Sequence, residues 1–212
     1  MVKFRLMAVA LTLFLTGCSG MDMALTKEQA QLDIKNTGVV LASLQTSNQY
    51  KPTYKPDIKW LDINRVSPEK KALKYNLKNR QFKKEDKENN FYLLSFDLEP
   101  GEYKVAGFYC DYHVPLLVYG KCFGYFNMLF KVIPGEVTYI GNLQATLFEH
   151  KKGEVRAGGM IPLIDQAITG FYSSTYKYKV VDDYDNDIEL YKQIYPVLRN
   201  VDIKKNLSTH IE

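Results

Sequence analysis

The sequence predicts a mainly β fold, an antiparallel β-sandwich or open barrel with a C-terminal helix. Three observations carry this. Apolar residues alternate with polar ones along many short runs, the period of a half-buried strand. Two of those runs are interrupted by Pro-Gly in matching contexts, Leu98-Glu99-Pro100-Gly101-Glu102 and Val132-Ile133-Pro134-Gly135-Glu136. The period lengthens only near the end, where Ile188, Tyr191, Ile194, Tyr195 and Leu198 fall on one helical face.

The elements follow in order. Residues 25–32 could form a short helix with Thr26 as its cap. The first strand is expected over residues 38–45 (GVVLASLQ), and Pro52 and Pro56 break pairing after it. Residues 57–66 resume, with Ile58 and Trp60 directed one way and Leu61 and Ile63 the other. Residues 72–77 alternate Leu73, Tyr75 and Leu77 with Lys74 and Asn76, and residues 78–90 (KNRQFKKEDKENN) read as a solvated hairpin loop projecting from the core.

Leu94, Phe96 and Leu98 precede the first Pro-Gly, and Tyr103 and Val105 follow it. Phe126, Met128, Phe130 and Val132 precede the second, and Val137, Tyr139, Leu143 and Leu147 follow it on one face, with Gly141 placed for a bulge. Proline then glycine at the central positions is type II turn chemistry, so Gly101 and Gly135 are both expected at positive φ. Tyr176, Tyr178 and Val180 alternate in a last strand. Asp182, Asp183, Asp185 and Asp187 sit where the helix dipole favours acids, and Pro196 should end the helix near Tyr195.

The N-terminus carries the most specific signal. Lys3 and Arg5 precede an uncharged apolar run over residues 6–15, which ends in Leu15-Thr16-Gly17-Cys18. The run is short of the roughly 20 residues that span a bilayer. The tetrapeptide resembles the lipobox of bacterial lipoprotein precursors. That resemblance implies diacylglycerol on the Cys18 sulfur, cleavage before Cys18, acylation of the new amine and a membrane partner through the lipid anchor. Ser19 in place of Asp implies outer-membrane delivery if the source is Gram-negative. Segments such as Glu99-Pro-Gly-Glu-Tyr-Lys-Val and Ile133-Pro-Gly-Glu-Val-Thr-Tyr-Ile-Gly are similar to those of uncharacterised β-sandwich lipoproteins, some of which also end in an Asp-rich helix. The similarity covers residues 91–148 and the helix and brings no catalytic residues.

The expected organisation is a signal peptide over residues 1–17, a lipidated N-terminus and tether over 18–35, a β-sandwich over 36–181, the helix over 182–199 and a polar tail over 200–212. The formal charge of +4 falls by two when Lys3 and Arg5 leave. So balanced a chain gives no argument for nucleic acid.

With Cys18 given to lipid, Cys110 and Cys122 are the remaining cysteines in a compartment where disulfides persist, and they are expected to pair. The other readings are two free buried thiols, or a zinc site for which His113 is the sole further soft ligand nearby. The aspartates of Asp183-Tyr184-Asp185-Asn186-Asp187 begin like a calcium loop, but Ile188 and Ile194 replace its required glycine and glutamate, so helix capping is the better reading. His113, His150 and His210 lack metalloprotease spacing, and Ser173-Ser174 lacks the nucleophile-elbow glycines. No cofactor, metal site or catalytic residue is implied. Two functions follow: a binding or structural module for an envelope protein or glycan, using exposed aromatics and strand edges, or a small envelope hydrolase acting on cell-wall or lipid material. Converging histidine and carboxylates in a cleft would favour the hydrolase; an aromatic patch on a sheet face would favour the module.

Overall fold

The computed structural model describes residues 20–67, 72–77, 83–85, 88–114, 118–160 and 168–211. The expected signal peptide and Cys18 lie outside these residues. The strands are β1 (Gly38–Asn48), β2 (Asp57–Ser67), β3 (Leu73–Asn76), β4 (Lys83–Glu85), β5 (Asn89–Leu98), β6 (Gly101–Val114), β7 (Val118–Gly124), β8 (Met128–Val132), β9 (Val137–Glu149) and β10 (Ser174–Val181). Helix α1 (Tyr184–Ile194), a 3-10 turn at Pro196–Leu198, β11 (Ile203–Lys205) and β12 (Thr209–His210) complete the chain.

Two sheets form the sandwich. Sheet one has the order β10-β9-β1-β5-β4, with β11 also on β9; sheet two has the order β12-β8-β6-β2-β3, with β7 also on β6. Most pairs are antiparallel, as the alternation predicts, but β1 and β11 run parallel to β9. Val40, Ala42, Leu44, Ile58, Leu61, Phe96, Val105 and Leu143 are among the residues that fill the space between the sheets.

A third layer covers sheet one. Val39, Leu41, Leu93, Val137 and Tyr139 on its outer face pack against Ile188, Tyr191, Tyr195 and Leu198. This is why β1 reads as a nearly continuous apolar run: Val40, Ala42 and Leu44 face the sandwich while Val39 and Leu41 face the helix. Helix α1 ends before Pro196 as expected, and its apolar face is the one the spacing selects.

Several expectations are corrected. Each Pro-Gly turn joins two consecutive strands, as expected, and carries the chain from one sheet to the other, β5 to β6 and β8 to β9. Only the second is a left-handed turn. Both glycines have positive φ, as expected, but only Gly135, at 76°, has the value a type II turn requires, with Glu136 donating back to the Ile133 carbonyl at 3.3 Å; Gly101, at 157°, lies far from it and already pairs with Val132. Gly135→Val should therefore cost about 1–2 kcal/mol through backbone strain alone, since no atom lies within 4 Å of the site a Cβ would occupy. Gly101→Val should also destabilise the protein, because φ of 157° lies in a region that L side chains rarely adopt, and a melting temperature equal to wild type for either variant would refute the strain at that position.

Bulges account for the face assignments that differ. At Gly141 (φ 114°) the pairing of β1 with β9 slips between Leu41 and Ser43. Val137 and Tyr139 therefore face the helix while Leu143 and Leu147 face the sandwich, rather than all four sharing a face. In β2 the register slips between Ile58 and Trp60, so Ile58, Leu61 and Ile63 all enter the core and Trp60 alone turns out.

The supposed tether and tail are packed. Residues 25–32 form no helix; Met23 and Leu25 are buried, and Ser95 receives the amides of Ala24 and Leu25 through its carbonyl and Oγ. Burial of those two apolar side chains outweighs the weak local propensity for a helix. Residues 78–90 include β4, which pairs with β5 rather than projecting. Beyond residue 200, β11 and β12 add to both sheets and Ile203 is buried.

Candidate binding surface

Sheet two has no helical layer among the described residues, and its outer face departs from the polar pattern expected of a wet sheet face. The slip in β2 puts Trp60, the chain's one tryptophan, directly opposite Tyr109 of β6, and Tyr109 is directly opposite Phe123 of β7. The three half-buried rings thus form a row across three strands. Trp60 and Tyr109 stack with centroids 4.1 Å apart and planes 11° apart. The Lys74 ammonium lies over Trp60, 4.6 Å from the ring centroid.

Each contact is worth about 0.5–1.5 kcal/mol for the ring pair and about 0.5–1 kcal/mol for the cation over the ring. Their geometry also decides what is offered to a partner. With Tyr109 stacked on it and the Lys74 ammonium over its ring, Trp60 has little free aromatic face to offer.

Beside the row lies a polar cleft of 230 Å³ whose lining includes Lys55, Asp57, Lys59, Glu85, Asp111 and His113. Lys59 bridges Asp57 at 2.9 Å and Asp111 at 3.0 Å, and the Tyr92 hydroxyl donates to Asp57 at 2.9 Å. Lys55 pairs with Glu85 at 3.0 Å. Partial burial pulls the Lys59 pKa down, but the hydrogen bonds and charges of the two aspartates outweigh it and leave the ammonium above its ordinary value. A lysine held this way is a fixed cation rather than a proton acceptor near neutral pH. The cleft is also smaller than the roughly 300–1,000 Å³ usual for small-molecule sites.

The other sequence candidates are scattered. Cys110 and Cys122 are register partners in β6 and β7, fully buried, and joined by a disulfide. His113 and His210 are exposed on different strands, and the His150 ring contacts the Glu154 carbonyl at 2.9 Å. Ser173 and Ser174 donate to the Gly170 and Phe171 carbonyls rather than to a base. Among the described residues no group of three or more His, Cys, Asp or Glu could hold a metal ion, and no helix is long and apolar enough to cross a membrane.

Asp182 accepts from the amide of Tyr184 at 3.3 Å, as a capping acid would, and Asp185 lies in the first turn; two of the aspartates depart from that role. Asp183 occupies the N-cap position without a side-chain capping bond, while Asp187 is turned inward and buried. It accepts hydrogen bonds from Ser43 and, at 2.5 Å, from Tyr139; Asn142 donates to Ser43 at 2.6 Å. This network ties α1 to β1 and β9. Its trace in the sequence is spacing, since Asp187 stands four residues before Tyr191 on the apolar face.

Compared with protein-family models, curated proteins and solved structures, this chain matches none.

Proposed function

We propose that this protein is a lipid-anchored cell-envelope protein that works as a binding module, held by acyl chains on Cys18 and contacting a partner protein through the outer face of sheet two. The observation that carries the contact is Trp60 stacked on Tyr109 on the sheet face that lacks a helical layer among the described residues. Tryptophan and tyrosine dominate the energetics of protein contacts, and rings already immobilised by one another lose little freedom on binding. A flat sugar ring would need an exposed aromatic face. Trp60 has Tyr109 against one side and a lysine over the ring, so a protein partner fits the site better than a glycan does.

The lipobox at residues 15–18 supports the envelope location, and the buried disulfide is in keeping with it. Turnover is the weaker reading because the charges of the polar cleft are engaged with one another.

Crosslinking in intact cells tests the proposal. Trp60→Ala combined with Tyr109→Ala should reduce partner capture at least tenfold while leaving a folded, membrane-associated protein. His113→Ala, His150→Ala and His210→Ala should each leave the cellular role within a few-fold of wild type. A stable, correctly placed histidine variant without function would overturn this in favour of a hydrolase.

A further inference from the structure

The end of the sandwich where the N-terminal segment arrives holds an apolar groove of 470 Å³. Met21, Leu73, Leu98 and Tyr103 supply its carbon surface, and Arg65 and Glu99 are among its polar lining. Glu99 and Asp97 are exposed, so the charge sits at the solvent edge. Arg65 is fixed there: it donates to Glu99 at 2.7 Å and to the Pro100 carbonyl at 2.5 Å, with its guanidinium 5.7 Å from the centre of the Tyr103 ring. The volume falls within the range of about 300–1,000 Å³ typical of sites for small apolar ligands.

Met21 is not a loose rim residue. Its amide donates to the Lys74 carbonyl at 2.7 Å and its carbonyl accepts from Asn76 at 2.8 Å, which fixes its backbone beside β3. Its side chain nonetheless remains 42% exposed. Met21 thus continues the apolar surface of Leu73, Leu98 and Tyr103 out to the groove mouth, and a contiguous apolar groove rimmed by polar groups is the kind of surface that takes an apolar ligand.

Chain length says what that ligand is. Cys18 precedes Met21 by three residues, so any lipid on it starts within about 10 Å of Met21 whatever path the chain takes. We infer that one acyl chain of the lipid on Cys18 lies in the groove lined by Met21, Leu73, Leu98 and Tyr103. This rests on the lipid-anchor reading. Lipobox processing supplies three acyl chains, and two suffice for a stable anchor, so one can be withdrawn without loss of attachment. The seated chain would hold the Met21 end of the sandwich against the membrane and turn the outer face of sheet two sideways to it, where a neighbouring envelope protein can reach Trp60.

The test uses the full-length protein in cells fed palmitate carrying a photoreactive diazirine, irradiated and then mapped by peptide mass spectrometry. The expected result is a fatty-acid-labelled protein with intramolecular crosslinks at Met21, Leu73 or residues 97–103. Leu73→Glu should lower those crosslinks at least fivefold without lowering the label, and Met21→Glu, at an exposed position, should do the same without disturbing the core. Labelled protein crosslinked only to bilayer lipid overturns the seat while leaving the anchor intact. Absence of label overturns the anchor and the seat together. Groove crosslinks that persist in Cys18→Ser would identify the occupant as a free lipid and overturn the assignment to the protein's own chain.

Discussion

Replacing Asp187 by leucine should destabilise the protein by about 2–6 kcal/mol, because it leaves two buried hydroxyls without their acceptor at about 1–3 kcal/mol each. The hydroxyls are those of Ser43 and Tyr139, on the two strands at the centre of sheet one. Burial, and then the bond to Asp187, push the Tyr139 pKa well above its ordinary value, so that hydroxyl stays a donor. Leucine can match the shape of the site but cannot accept. The loss should appear in thermal melts as an earlier, still cooperative transition, and a melting temperature within a degree of wild type would show that the network contributes nothing.

Asp187→Asn separates the hydrogen bonds from the charge. Burial, with a smaller push from Asp183, raises the Asp187 pKa from the ordinary 3.8, and the bonds from Ser43 and Tyr139 only partly offset it. Just above 3.8 the native state therefore still holds a proton that the unfolded chain has released. The unfolded state binds fewer protons there, so this group's contribution to stability falls as pH rises through the window and is level beyond it. Asparagine keeps an acceptor oxygen and has nothing to titrate. The gap in melting temperature between wild type and Asp187→Asn should be widest near pH 4 and narrower at pH 7. A gap that widens with pH would mean that the folded protein favours the carboxylate.

Much of this fold is legible because local pattern and tertiary burial agree. The helix announces its face through Ile188, Tyr191 and Tyr195, and those side chains are the ones that cover sheet one. The nearly continuous apolar run at the start of β1 reflects burial on both faces, and Gly141 marks a real bulge. What was not legible depends on pairing between distant residues. Trp60 meets Tyr109 only because β2 slips by one residue after Ile58, and no period within β2 contains the register of its partner. The inward turn of Asp187 is similarly set by Ser43, 144 residues away. The strands after residue 200 are three and two residues long, too short for any alternation to show. The groove at Met21 brings together four separate stretches of chain, and only its distance from Cys18 could be counted from the sequence.

Gly107→Ala should cost about 3 kcal/mol, near the upper end for inserting atoms into a closely packed site. A Cβ built on Gly107 would lie 2.3 Å from the carbonyl oxygen of Gly124. That oxygen belongs to the backbone and cannot swing aside as a side-chain tip could. Gly124 has no more room, since its own Cβ would come within 2.4 Å of the Phe108 ring and 2.8 Å of the Tyr178 hydroxyl. The two glycines meet where β6 changes partners from β7 to β8 and where its register against β2 slips after Asp62. Separating the strands at this point would strain the same stretch that sets Tyr109 against Trp60. The stability loss corresponds to a drop of about 6–12 °C in melting temperature for a chain of this size. Gly153→Ala is the control: that glycine has φ of 91° with nothing within 4 Å of a Cβ, so only backbone strain of about 1–2 kcal/mol should appear. If Gly107→Ala melts with wild type while Gly153→Ala does not, steric closure at Gly124 is not what holds β6 in place.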